Sequence, residues 1–234
     1  MVINQFSISH PGKILLFLCC AIAFIMGSGC SLDKTQYIEV IHPNLKNELN
    51  KNITNLYPEK FKAIHHVILT LSGKDYVLDG YLYIDRANRE IKLIAQNDLG
   101  GIIFEVHYIK NIKNLIRINA NTLKKKWLEK SVLRDLEILY LKEPFPSPTL
   151  FYDEHENLVL SQKKGGITQE FLYEQINRPV KYRIAGIRHL ENKKCVYTIG
   201  LKYNTASNNP YPEFILIQDT KMKYKLQINV QYFM

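Results

Sequence analysis

The chain has 234 residues, with 31 Lys and Arg against 22 Asp and Glu, for a formal net charge of +9. Four cysteines are too few for a disulfide-rich scaffold and form no metal-binding cluster. The length suits one domain with a substantial core, and the positive balance points to nucleic acid, anionic lipid or plain solubility until the compartment is known.

The N-terminus supplies the compartment. Lys13 precedes an apolar run from Ile14 to Met26, then come Gly27, Ser28, Gly29 and Cys30. Charge, apolar stretch, small residues and cysteine form the layout of a bacterial lipoprotein export signal. The apolar run enters the export machinery, the small side chains open the backbone to a peptidase, and the Cys30 thiol takes a lipid. Residues 1–29 are expected to be removed, leaving about 205 residues on a membrane anchor. Gly27 stands where such signals usually carry Leu. The alternatives are an ordinary secretory signal cleaved near Gly29, or an uncleaved anchor. An apolar run of about 13 residues falls short of the roughly 20 that span a bilayer. Ser31 follows the cysteine where Asp does not, and resemblance to enterobacterial lipoproteins then favours the outer membrane, facing the periplasm. Export argues against a nucleic-acid partner. Cys19 and Cys20 leave with the signal, so an acylated Cys30 leaves Cys195 with no internal disulfide partner.

Residues 30–60 are polar, with five asparagines between Asn44 and Asn55, and prolines at 43 and 58. Leu45, Leu49 and Leu56 fall at roughly helical spacing. This segment is expected to be a tether with one short helix after Pro43, followed by a single domain over 61–234. From about His66 the period becomes two. Strands are expected at Val67–Leu71, Tyr76–Ile84, Ile91–Ala95 and Ile102–Tyr108, with turns at Arg86–Arg89 and Asn97–Gly101. Thr122–Leu141 breaks that period. Trp127, Leu128, Val132, Leu133, Leu136, Leu139 and Tyr140 recur every three or four residues, which predicts an amphipathic helix ended by the prolines at 144, 146 and 148. Strands resume at Asn157–Ser161, Gln169–Ile176, Val180–Leu190, Lys194–Tyr203, Glu213–Gln218 and Tyr224–Val230. About ten strands and one strong helix predict an α+β fold, a curved antiparallel sheet that tends to curl toward a barrel, with one helix able to cover its concave face.

No catalytic signature is present: no nucleophile elbow, phosphate loop or zinc-protease helix. His65 and His66 are adjacent on a strand and point to opposite faces, so they make poor joint metal ligands. The acidic run Asp153–Glu156 reads as a solvated hairpin turn, and Cys195 as a packed or surface thiol. The Lys124–Lys126 cluster could meet a lipid headgroup. What remains is apolar surface. Both faces of the early strands carry bulky residues, and one helix covers only part of such a sheet.

The runs Asp79–Ile84, Lys92–Ala95 and Leu99–Val106 resemble the LolA/LolB-like superfamily. More closely, they are similar to a family of small bacterial outer-membrane lipoproteins that accompany aryl-polyene and related lipid pathways. Val132–Tyr140 is similar to that family's helix leading to its mid-domain aspartate, and the strands after Val180 to its closing strands. Leu141-Lys142-Glu143-Pro144 stands where the family usually has Trp-Pro. The resemblance implies a LolB-like half-barrel with a lid over a hydrophobic cavity, binding lipid or acyl groups. The expected lining is Leu82, Ile84, Leu93, Ile102 and Phe104 from the early strands, Trp127, Leu133 and Leu136 from the helix, and Leu226 and Ile228 from the last strand.

The expected function is therefore that of a lipid-anchored, non-enzymatic envelope protein with no cofactor. It would bind an acyl chain or lipidated molecule and aid its transfer or insertion. The alternative is a structural or docking lipoprotein with a solid core and a protein partner in the envelope.

Overall fold

The computed structural model describes residues 38–110, 115–118, 125–176, 181–204 and 210–233. Cys30 and the whole expected signal lie outside these residues. Among the described residues the fold is one sheet of thirteen strands, every neighbouring pair antiparallel, with two α-helices. The early strands are β1 (Ile38–Glu39), β2 (Lys60–Leu71), β3 (Lys74–Asp85), β4 (Glu90–Gln96), β5 (Ile102–Ile109) and β6 (Leu115–Ile118). The late strands are β7 (Thr149–Tyr152), β8 (Leu158–Lys164), β9 (Ile167–Ile176), β10 (Lys181–Glu191), β11 (Lys194–Lys202), β12 (Phe214–Asp219) and β13 (Tyr224–Phe233). The order across the sheet is β1-β7-β8-β9-β10-β11-β12-β13-β2-β3-β4-β5-β6. The last strand thus closes the gap between the two halves of the chain, pairing Tyr224 with Leu71 and Phe233 with Lys62.

Local chemistry explains the hairpins. Ser72-Gly73, Gly165-Gly166 and Asn192-Lys193 each place two consecutive residues at positive φ, the backbone that two-residue hairpin turns require. Side chains alternate across the strands, so β4 buries Ile91, Leu93 and Ala95 and turns Lys92 and Ile94 outward. Register shifts at Ala95/Gln96, Ile184/Gly186 and His189/Leu190 bend the ladder and help the sheet curve. At Gly186 an added Cβ would lie 2.9 Å from the Ile199 carbonyl oxygen, so the close approach at that shift needs glycine. Both edge strands, β1 and β6, are short, which limits unwanted strand addition.

Helix α1 (Pro43–Asn52) leads through a 3₁₀ turn (Thr54–Leu56) into β2. Helix α2 (Lys125–Tyr140) lies against the inner face of the sheet. The expected helix began at Thr122, and residues 122–124 lie outside the described ones.

Two expectations change. The tether of residues 30–60 is part of the domain from Ile38 onward. β1 pairs with β7, Leu49, Ile53 and Tyr57 are in the core, and the Leu49 carbonyl accepts from the Tyr173 hydroxyl at 2.7 Å. The side chain of Asn50 bonds the Phe145 backbone at both N–H and C=O, 2.8 and 2.7 Å. Polar composition suggested a linker, but apolar residues every four positions give this segment one buried face. The acidic turn at 153–156 is a hairpin turn, yet Asp153 is buried. Its carboxylate accepts from the backbone N–H groups of His155 and Asn157 at 3.0 Å and organises the turn.

A hollow beneath helix α2

Side chains on the inner faces of β2–β5, β12 and β13 meet the underside of α2 around an apolar hollow of about 70 Å³. Its floor comes from the strands, with Val67, Leu78, Leu93, Phe104, Leu226 and Ile228 among the lining. Its roof is Trp127, Val132, Asp135, Leu136 and Leu139 of α2. The floor exists because alternate residues of adjacent strands share a face, which puts Val67 opposite Leu78 and opposite Ile228.

Six of the ten residues expected to line a cavity therefore surround one space: Leu93, Phe104, Trp127, Leu136, Leu226 and Ile228. Leu82, Ile84 and Leu133 are buried in the same core but do not border the hollow. Ile102 is half-buried, paired with Gln96 beside the register shift that ends β4, and does not border it either. Lys124 and the side chains of Lys125 and Lys126 lie outside the described residues.

The roof has a polar seam. Trp127, Ser131 and Asp135 stand four residues apart on one stripe of α2. Asp135 is held by three donors. The hydroxyls of Tyr197 and Tyr224 donate to it at 2.9 and 2.5 Å, and Arg134 Nη2 donates at 3.0 Å. Arg134 also pairs with Asp219 at 2.7 Å and stacks its guanidinium 4.4 Å above the centre of the Tyr197 ring. Helix α2 is thereby clamped to β11, β13 and the end of β12. Burial pushes the Asp135 carboxyl up to about 6, against the opposing pull of Arg134 and the two hydroxyls. His65 on β2 is fully enclosed, which lowers its imidazole to about 4, so it is neutral at pH 7. Its Nε2 lies 3.0 Å from the Tyr140 hydroxyl. Both ionisable groups facing the hollow are thus engaged by protein partners. His66 points outward to Asp79 at 2.7 Å, on the opposite face from His65.

Two polar atoms of the seam are different. Trp127 Nε1 and Ser131 Oγ are buried with no hydrogen-bond partner among the described residues. An unmet buried donor costs roughly 1–3 kcal/mol. The Trp127 end of the roof therefore carries a penalty while it is shut.

No protein-family model matches the chain, and no curated protein is detectably similar to it. Solved structures of similar shape do exist. A LolA superfamily protein from Nitrosomonas europaea superposes with a TM-score of 0.47 at 6% identity, over 80% of this chain and 91% of that one. A DUF1329 family protein from Desulfovibrio piger gives 0.49 at 9% identity, over 80% and 90%. A domain named for outer-membrane lipoprotein sorting, from Vibrio parahaemolyticus, gives 0.46 at 11% identity, over 81% and 91%. No described helix is long and apolar enough to cross a membrane.

Sequence patterning pointed to the apolar lining and not to the polar seam. A lone aspartate between Val132, Leu133 and Leu136 was the available sign of it. Its partners Tyr197 and Tyr224 come from strands 62 and 89 residues away.

Proposed function

We propose that this protein binds an acyl chain, or a molecule carrying one, between α2 and the sheet, and aids its transfer or insertion at the outer membrane, where a lipid on Cys30 tethers it. The observation that carries this reading is the hollow itself, an apolar space under a single helix whose ionisable neighbours are already satisfied. The reading uses shape and apolar area and involves no catalytic residue or cofactor. Each buried methylene contributes about 0.8 kcal/mol, so a chain of ordinary length is held by area alone.

The hollow is small. An apolar cavity of about 150 Å³ admits benzene, and this one is about half that. Binding a long chain therefore needs the Trp127 end of α2 to lift. The unmet polar atoms of Trp127 and Ser131 favour that motion, since lifting exposes them to water.

Native mass spectrometry of protein extracted from its own envelope tests the reading. The wild type should carry lipid masses, and Ala95→Leu, which fills the floor of the hollow, should lose them while remaining folded. A clean apo mass for the wild type overturns the reading. Intact mass tests the anchor separately, through acyl chains added at Cys30. The docking alternative has its own observation. Ile68 and Val77, and likewise Tyr81 and Ile94, are cross-strand pairs on the outer face of β2–β4 and are exposed. A clean apo mass together with a specific envelope protein captured on that face would establish it.

A further inference from the structure

A second concavity lies away from the hollow, where the β3–β4 turn, the 3₁₀ turn and the end of α2 meet. It is an open groove of about 480 Å³, bordered by Arg86, Arg89 and Lys142 together with Glu59 and Glu143. We propose that this groove binds a phosphate or similar oxyanion group, either free or carried on a lipid headgroup. The site is independent of acyl binding in the hollow.

The groove carries three cations against two carboxylates. Arg86 is half-buried, and among the described residues no carboxylate bonds its guanidinium. Its Nη1 instead donates to the backbone carbonyls of Thr54 and Tyr57, the latter at 3.0 Å. That arrangement aims the guanidinium, and Glu59 is the acidic group that acts on it from the same groove. Lys142 is also half-buried, and its Nζ meets the neutral side-chain oxygen of Gln169 and the ring of Phe145. Desolvation lowers both cations from their ordinary values, outweighing the opposite pull of Glu59 on Arg86 and of Glu143 on Lys142. Arg89 supplies the third cation. One of its terminal nitrogens binds Glu143, while its Nε is buried with no partner among the described residues.

The frame is rigid. Asp85 accepts from the Asn88 backbone at 3.1 Å and its side chain at 2.9 Å, and pairs with Lys60 at 2.9 Å, which fixes the turn carrying Arg86 and Arg89. Glu143, two-thirds exposed and within 3.8 Å of Lys110, is the group an incoming anion would displace from Arg89. Two guanidinium groups at one recess, with the Lys142 charge beside them turned toward Gln169, match the several acceptor oxygens of a phosphate better than a single carboxylate does.

The test is calorimetric titration of the full chain with inorganic phosphate at low ionic strength, against chloride. Saturable binding is expected. Arg89→Gln with Lys142→Gln should weaken it at least tenfold, and Glu143→Gln should strengthen it several-fold. A charge-matched control, Lys62→Gln with Lys194→Gln, removes two exposed lysines elsewhere and should leave binding unchanged; circular dichroism checks that each variant is folded. A second arm measures binding to phosphatidylglycerol vesicles against phosphatidylcholine ones. If the Arg89/Lys142 variant loses the anionic vesicles and the control keeps them, the oxyanion is a lipid headgroup. If only the phosphate titration responds, the oxyanion is a soluble one. If the two double variants behave alike in both arms, or if neither probe binds, the proposal fails.

Discussion

The two ends of α2 rest on the same sheet in opposite ways. At its C-terminal end, Tyr140 is almost fully buried among Tyr57 and Phe61, with ring centres 4.8 and 5.6 Å away. Tyr211 and Tyr232 complete that aromatic seal around Tyr57, and His65 meets the Tyr140 hydroxyl. At the other end, Trp127 roofs empty space, touches Tyr224 edge-on at 5.5 Å, and leaves its Nε1 unmet. One helix is therefore packed against rings at one end and borders empty space at the other, although the Tyr57 hydroxyl in the seal is, like Trp127 Nε1, buried with no partner among the described residues. Local opening free energies differ along an element according to how many buried contacts hold each part. The lid motion proposed for α2 needs this asymmetry, because a helix sealed at both ends would not move and one loose at both ends would not return.

The sharpest way to break this contrast is to attack the seal. Tyr140→Ala should cost about 3–5 kcal/mol, the usual range for removing a large buried ring. Urea unfolding measures it. A cost near 1 kcal/mol would mean that the seal does not anchor the helix.

The clamp between the two ends should be sensitive to pH. Asp135 has its carboxyl raised from 3.8 to about 6, chiefly by burial. A raised acid contributes its stability fully below the unfolded value and loses it as pH rises through the folded one. The rise corresponds to roughly 3 kcal/mol lost between about pH 4 and pH 7. Arg134, Asp219, Tyr197 and Tyr224 face this group, and their pairing with it sets the folded value. His65 runs the other way. Its lowered imidazole contributes stability above pH 6.5, lost as pH falls toward 4. The wild-type profile sums the two, so the difference between wild type and Asp135→Asn is the useful quantity. That difference should move against the wild type by about 3 kcal/mol from pH 4 to pH 7. A flat difference would show that the carboxyl is ionised throughout.

A matched truncation at the hollow end should cost less than one at the seal. Leu136→Ala removes side-chain atoms that already border empty space, so fewer contacts are lost than in a filled core. About 2 kcal/mol is expected, the low end for buried leucine, measured by the same urea titration. A value of 4 or more would mean that the hollow is effectively filled in solution.

How much of this could be seen beforehand depends on how local each feature is. β13 announces itself through Tyr224, Leu226, Ile228 and Val230 alternating with polar residues, and α2 through its spacing of three and four. Strands β1 and β7 carry two and four residues, too few for a period to show, and they exist because each finds a partner. The buried face of α1 had a sign in Leu49, Ile53 and Tyr57 at intervals of four, hidden by the asparagines around them. The aromatic seal had none, because Tyr57, Phe61, Tyr140, Tyr211 and Tyr232 come together only when β13 pairs with β2. Arg86–Arg89 reads correctly as a turn. That its two arginines share a groove with Lys142 depends on where α2 ends. Period and turn chemistry are properties of neighbours in sequence, whereas a seal, a clamp or a groove belongs to neighbours in space.

The smallest expected effect tests the asymmetry most directly. Trp127→Phe keeps most of the ring over the hollow and removes the buried Nε1 donor that has no partner. At a packed site, trading indole for phenyl leaves a void and destabilises. Here the lost ring atoms border space that is already empty, and the unmet donor disappears with them. The two terms oppose, so the change should lie within about 1 kcal/mol of neutral. Slower hydrogen exchange in the first turns of α2 is expected with it, because the shut position no longer buries that donor. Faster exchange there, with a loss of 2 kcal/mol or more, would mean that the indole N–H has a partner in solution and that the Trp127 end is as well satisfied as the seal.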